Sequence, residues 1–199
     1  MPLIPLLQIE LYRSLQSAFD SLNIPWYLFG AQAAILYGAA RLTADVDITV
    51  SLRDHSLTEL ISALKQAGFD TRISDAEQFA EQNRVLLLVH APSRMPIDII
   101  IAGPGPEEAI LARRRKLSVG GIQIPVACPE DLIVMKLLAG RSKDLDDISS
   151  MLVTLLPELD LALIERFLQE FESALDRNDL WTQLQILLDR ARHTDSDAT

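Results

Sequence analysis

An α/β fold is predicted: a small mixed β-sheet with flanking helices, followed by a helical C-terminal region. Three observations predict it. Short runs with the strand period alternate with helix-period runs as far as about residue 127. From Pro129 onward no strand signal returns. The 199 residues are 49% apolar and 23% charged, the composition of an ordered globular protein. The expected organisation is an α/β core over 1–127 and a helical region over 128–199, ending in a polar tail, TDSDAT, that frays.

The elements follow in order. Leu7, Leu11, Leu15, Phe19 and Leu22 recur every three or four residues, which predicts a helix over roughly 5–22, ended by Asn23 and Pro25. WYLF (26–29) reads as a strand before a glycine, and AQAAILYG (31–38) as a helix closed by Gly38. DVDITVSL alternates, with Val46, Ile48 and Val50 on one face and Asp45, Asp47 and Thr49 on the other. Ser56 and Glu59 stand at capping-box spacing before the next helix. TRI (71–73) is a candidate short strand and DAEQFAEQ a weak helix or loop. VLLLVH (85–90) and MPIDIII (95–101) form an antiparallel hairpin around Pro92 and Ser93. PEEAILARRRKL reads as one helix, acidic at its start and basic at its end, as the helix dipole favours. GIQIPVA is a last strand. PEDLIVMKLLAGR, SKDLDDISSMLVTL, DLALIERFLQEFESAL and LWTQLQILLDRARH are then helices.

Bulk properties exclude several classes. No apolar run approaches the ~20 residues that span a bilayer, so no membrane association is expected. The start lacks a basic segment and carries Glu10 early, unlike a secretory signal. The single cysteine, Cys128, rules out an internal disulfide framework and fits the cytoplasm. A formal charge of −10 excludes a surface that is basic throughout, so a polyanion must be held by a local patch.

The chemistry concentrates in aspartates set in apolar strands. Asp45 and Asp47 leave one face about 6–7 Å apart along the backbone. Burying like charges together is costly without a cation. Mg²⁺ takes one or two protein carboxylates with phosphate oxygens and waters. Asp98 interrupts PIDIII in the same way. Three carboxylates on one edge can hold two metals, the arrangement of phosphoryl transfer. The bland alternative is a strand end pointing to water. Gly30, between a strand and a helix start, adds backbone N–H groups suited to phosphate.

Gly30, the small-residue helix and Arg41-Leu42-Thr43-Ala44-Asp45-Val46-Asp47-Ile48 resemble the signature of the polymerase-β-type nucleotidyltransferase superfamily. The likeness is closest to its bacterial abortive-infection and toxin–antitoxin branch, in which R-x-T-x-D-h-D-h follows the glycine. CPEDLIVMKLLAGRSKDLDDI (128–148) is similar to a second stretch of that branch. The resemblance covers 24–148; beyond 150 only helicity matches. It implies metal ligation and catalysis by Asp45, Asp47 and Asp98, with Asp98 acting on the acceptor hydroxyl. It implies nucleotide binding by Gly30, Ala31, Arg41, Thr43, Lys136, Arg141 and Lys143, with Asp144 orienting one of the cations. Mg²⁺ or Mn²⁺ is the implied cofactor. NTP, an RNA terminus and a cognate antitoxin-type protein are the implied partners. Ala31 departs from the usual Gly or Ser, which leaves a degenerate, non-catalytic binding protein as one alternative. A small-molecule, antibiotic-type nucleotidyltransferase is the other.

Bland readings stand beside these. Lys143, Asp144, Asp146 and Asp147 read by themselves as a solvated first helical turn. Lys136, in an apolar stripe, either snorkels or meets phosphate. Arg113–Lys116 reads as a solvated helix end or, functionally, as a patch for a nucleic-acid backbone. His55, His90 and His193 lack metal-ligand spacing, Cys128 reads as a small buried residue, and Trp26 and Trp181 as core.

Overall fold

The computed structural model describes residues 5–196. Two compact units divide the chain. Of the described residues, one unit holds the chain up to Gln32 together with Thr43–Ala127; the other holds Ala33–Leu42 together with the chain from Cys128 onward.

The first unit is the α/β one. Helix α1 (Leu6–Ser21) buries Leu11, Tyr12, Leu15, Ala18 and Phe19, the stripe its spacing predicts. Strand β1 (Trp26–Phe29) leads into α2 (Gly30–Leu36), which begins in this unit and runs on into the other. Next come β2 (Val46–Val50), α3 (Leu57–Gln66), β3 (Phe69–Thr71), α4 (Ala76–Asn83), β4 (Val85–His90), β5 (Pro96–Ile101), α5 (Pro106–Arg113), β6 (Arg115–Val119) and β7 (Ile122–Val126). The seven strands form one sheet in the order β3-β4-β5-β2-β1-β7-β6. β2 runs antiparallel to β1 and parallel to β5, while β4 and β5 form the expected hairpin. Ile48, Val50, Leu86, Ile97 and Ile99 are fully buried in it. At α3 the capping box is complete: Ser56 N–H donates to Glu59 Oε2 at 2.8 Å, and Glu59 N–H to Ser56 Oγ at 3.2 Å.

Several element boundaries differ from the sequence expectation: α2 is Gly30–Leu36 rather than 31–38, α9 runs on to Ser196, and three further differences lie in the strands. β2 starts at Val46, so Asp45 precedes the strand; its N–H turns to Thr43 Oγ1 at 3.4 Å rather than to a neighbouring strand. β3 is Phe69–Thr71, not 71–73, because the buried Phe69 pairs with His90. The helix expected through Leu117 stops at Arg113. Arg115–Val119 is a strand, paired with Ile122–Val126 across a two-residue Gly120-Gly121 turn. Both glycines have positive φ, 55° and 83°, as a tight hairpin turn requires.

In the second unit, α6 (Pro129–Ala139) is its most buried helix, with Leu132, Ile133, Val134 and Leu137 all shielded. Proline opens it and Gly140, in the left-handed region at φ 63°, closes it. α7 (Ser142–Leu155), α8 (Leu161–Leu175) and α9 (Leu180–Ser196) pack around it. The helix α9 carries the first residues of the tail expected to fray; residues 197–199 lie outside the described residues.

Candidate functional site

The carboxylates sit at the middle of the sheet. Asp47 in β2 and Asp98 in β5 are register partners in neighbouring parallel strands, so their side chains leave the same face, on strands about 4.8 Å apart. Both are half-buried, and Asp45, two residues before Asp47, is exposed. Phe29, the last residue of β1, is the register partner of Asp47 across the other edge of β2. Gly30 therefore arrives beside Asp47. A Cβ on Gly30 would lie 2.0 Å from Asp47 Oδ2, and its φ of 67° is one that side chains avoid.

Two hydrogen-bond systems brace this edge. Gln8 of α1 donates to Gln32 Oε1 at 2.7 Å and to Tyr12 Oη at 2.9 Å; Gln32 donates on to the Thr43 carbonyl at 3.5 Å. Burial raises the Tyr12 phenol to about 12, although the bond from Gln8 opposes that shift. The loop before Asp45 is thus held by buried amides that sequence reasoning missed, since a glutamine in a helix carries no signal of its own. Arg72, just past β3, forms an ion pair with Asp98. It too was missed: the two residues are distant in the chain and meet only through the sheet.

The donors fit a hard divalent cation in kind. Asp47 and Asp98 offer two facing carboxylates, and Mg²⁺ needs no more from a protein. Among the described residues, though, no three His, Cys, Asp or Glu side chains are gathered as a ready metal cage.

The helical unit carries a second constellation, built from residues around α6 and α7. Lys136, only 4% exposed, donates to Asp147 Oδ2 at 2.6 Å and to Asp144 Oδ1 at 3.3 Å. Arg41 donates to Asp147 Oδ2 at 3.0 Å, and Arg141 Nε to Asp144 Oδ2 at 2.6 Å. Burial opposes ionisation of Asp144, but the Arg141 hydrogen bond and the Lys136 charge outweigh it and hold its carboxyl below the ordinary value. Three cations thus share two buried anions. The solvated-turn reading fails for Asp144 and Asp147, both 2% exposed, and holds for Lys143 and Asp146, which face water. Cys128 is buried as expected, its thiol donating to Asp131 Oδ2 at 2.9 Å and, chiefly through burial, pushed up to about 12.

Comparison with known proteins now bears on the reading. The family model described as nucleotidyl transferase AbiEii toxin, Type IV TA system, matches residues 13–198. No curated protein matches the chain. Solved structures share the fold. The solution structure of the antibiotic-resistance factor ANT(2″)-Ia is 16% identical, with a TM-score of 0.59, over 87% of this chain and 97% of that one. An antigenic nucleotidyltransferase-like protein from Paracoccidioides brasiliensis is 20% identical, with a TM-score of 0.53, over 92% and 94%. The lincosamide antibiotic adenylyltransferase LnuA, in its lincomycin-bound form, is 14% identical, with a TM-score of 0.50, over 72% and 95%. A mixed sheet with paired central carboxylates and a match along nearly the whole chain lead to one assignment: the chain belongs to the AbiEii nucleotidyltransferase toxin family, whose chemistry is nucleotidyl transfer.

Proposed function

We propose that the Asp47–Asp98 edge, with Asp45, is the catalytic centre of a divalent-metal-dependent enzyme that moves a nucleoside monophosphate from an NTP onto a hydroxyl of an RNA terminus. The observation that carries this reading is the register pairing of Asp47 with Asp98 beside Gly30. The acceptor oxygen attacks the α-phosphorus as the bond to pyrophosphate breaks, and the hydroxyl proton passes to Asp98. When bound to Asp45, Asp47 and Asp98, Mg²⁺ or Mn²⁺ supplies charge neutralisation of the phosphate oxygens. Gly30 and Ala31 leave room for phosphate, and Thr43 holds the backbone of Asp45.

The cations of the helical unit, taken by themselves, make an anion-binding group. Arg41, Arg141 and Lys143 are the ones with exposed surface, while Lys136 and Asp144 set the charge balance and orientation of the first two. We assign these five to nucleotide binding. The enzyme works in the cytoplasm, where NTPs are available, opposed by a cognate antitoxin-type partner.

The test is incubation with each labelled NTP, Mg²⁺ or Mn²⁺, and total cell RNA. Labelled RNA that disappears with Asp47→Asn supports the reading. Labelling of a cationic antibiotic instead of RNA moves the assignment to a small-molecule acceptor, which the −10 charge would suit. Absence of any labelled product, with nucleotide still bound, identifies a non-catalytic member.

A further inference from the structure

A second concave site lies in the α/β unit, around the start of β1. It is a cavity of about 240 Å³ whose lining includes Asp20, Asn23, Trp26, Arg53, Arg114, Lys116 and Gln123. The three cations come from three separate places: the turn after β2, the end of α5, and β6. The side chains of Arg53 and Lys116 have no hydrogen bond or ion pair among the described residues; Arg114 donates to the Leu111 carbonyl. Asp20 is the one carboxylate of the lining, so the cavity carries an excess of two positive charges in a chain of net charge −10. Such a gathering is self-repelling unless an anion joins it. Neutral amides beside the cations supply hydrogen-bond donors and acceptors of the kind a sugar–phosphate backbone meets.

The site is separate from the carboxylates. Trp26 stands three residues before Phe29, the partner of Asp47, which is about 10 Å of strand. That is about three stacked nucleotides at 3.4 Å each. Of the basic run 113–116, only Arg114 and Lys116 line the cavity; Arg113 ends α5, and in β6 the successive residues Arg115 and Lys116 leave opposite faces. The cation that completes the set, Arg53, lies far away in the chain.

We propose that this cavity binds a backbone phosphate of a single-stranded RNA, holding the acceptor strand at a distance from the carboxylate pair. The proposal rests on the RNA reading of the acceptor, but its test does not need transfer to occur. A fluorescent RNA oligomer is titrated with the full-length protein, without NTP or metal, and anisotropy is read across a salt series. Arg53→Glu with Lys116→Glu is expected to weaken binding at least tenfold and to lower the log–log salt slope by about 0.7, the share of one phosphate contact. Lys65→Glu with Arg94→Glu, two exposed cations outside the cavity, is the charge-matched control and is expected to lose much less. Asp20→Asn is expected to tighten binding, a gain that misfolding cannot produce. Equal loss in the Lys65–Arg94 control, no change in the Arg53–Lys116 variant, or displacement by ATP as effective as by unlabelled RNA would each overturn the proposal. If the pocket variants lose RNA binding while the wild type labels no RNA, the pocket stands and the transfer reading fails. If RNA is labelled and the pocket variants bind it normally, the pocket alone is wrong.

Discussion

Gly30 and Asp47 exclude any side chain between them: the place a Cβ would take on Gly30 is 2.0 Å from Asp47 Oδ2. The nearby carboxylate by itself requires the glycine. Gly30→Ala must either displace Asp47 or distort a backbone held at φ 67°. We expect transfer to fall by at least a hundredfold, with a stability loss of about 1–3 kcal/mol. Asp47→Asn, in contrast, should abolish transfer with the melting temperature unchanged or slightly raised, since one of two facing like charges is removed. Paired activity assays and thermal melts separate the two outcomes.

Arg72 occupies Asp98. A metal that draws on Asp98 has to compete with this guanidinium. Arg72→Ala should lower the Mg²⁺ concentration for half-maximal transfer several-fold, while Arg72→Lys should stay near the wild type. An unchanged metal titration in the alanine variant would mean that Asp98 does not share in metal binding.

Lys136 neutralises two buried carboxylates. Its removal leaves Asp144 and Asp147 short of a cation, so Lys136→Ala should cost about 3–5 kcal/mol in urea unfolding. Arg141→Ala, whose side chain is 62% exposed, should cost far less stability. If it weakens NTP binding in equilibrium dialysis, the role assigned to the cluster is supported.

The same cluster sets an acid limit. Folded Asp144 gives up its proton more readily than the unfolded chain, for which the ordinary value is 3.8. Its contribution is therefore fully present above that value and is lost as pH falls through the lower folded one. The urea midpoint of the wild type should drop more steeply below about pH 4 than that of Asp144→Asn.

Cys128 offers a check on the fold itself. Its thiol is 3% exposed and raised to about 12. A thiol reagent near neutral pH should label it only at the rate at which the helical unit opens, and at once in denaturant. Rapid labelling of the native protein would contradict the burial described.

Much of the fold was legible because its signals are local. The α1 stripe, the Ser56–Glu59 cap, the β4–β5 hairpin and the four C-terminal helices all rest on periodicity or on turn chemistry between near neighbours. The exception is β6, where Arg114, Arg115 and Lys116 were read as the end of a helix. Their helix propensity and favourable charge outweighed the Gly120-Gly121 turn that pairs the segment with β7. In the candidate site, the odd placement of Asp47 and Asp98 was visible in the sequence, whereas Asp45, read as part of the strand, precedes it and is exposed. Arg72, Gln8 and Gln32 were not, because each acquires its partner only when the sheet and helices assemble. Asp144 and Asp147 look like ordinary surface acids in a first helical turn; the lysine that buries them sits in the preceding helix.

The pairing of Asp47 with Asp98 has a consequence for synthesis. The two strands lie side by side, but α3, β3, α4 and β4 are all made between them. Parallel, non-local pairing forms slowly compared with local helices. A nascent chain on the ribosome therefore has a complete R-x-T-x-D-x-D segment well before it has the strand that completes the proposed centre. Prematurely terminated copies ending between Val50 and Pro96 would carry the motif but not the strand that completes the proposed centre.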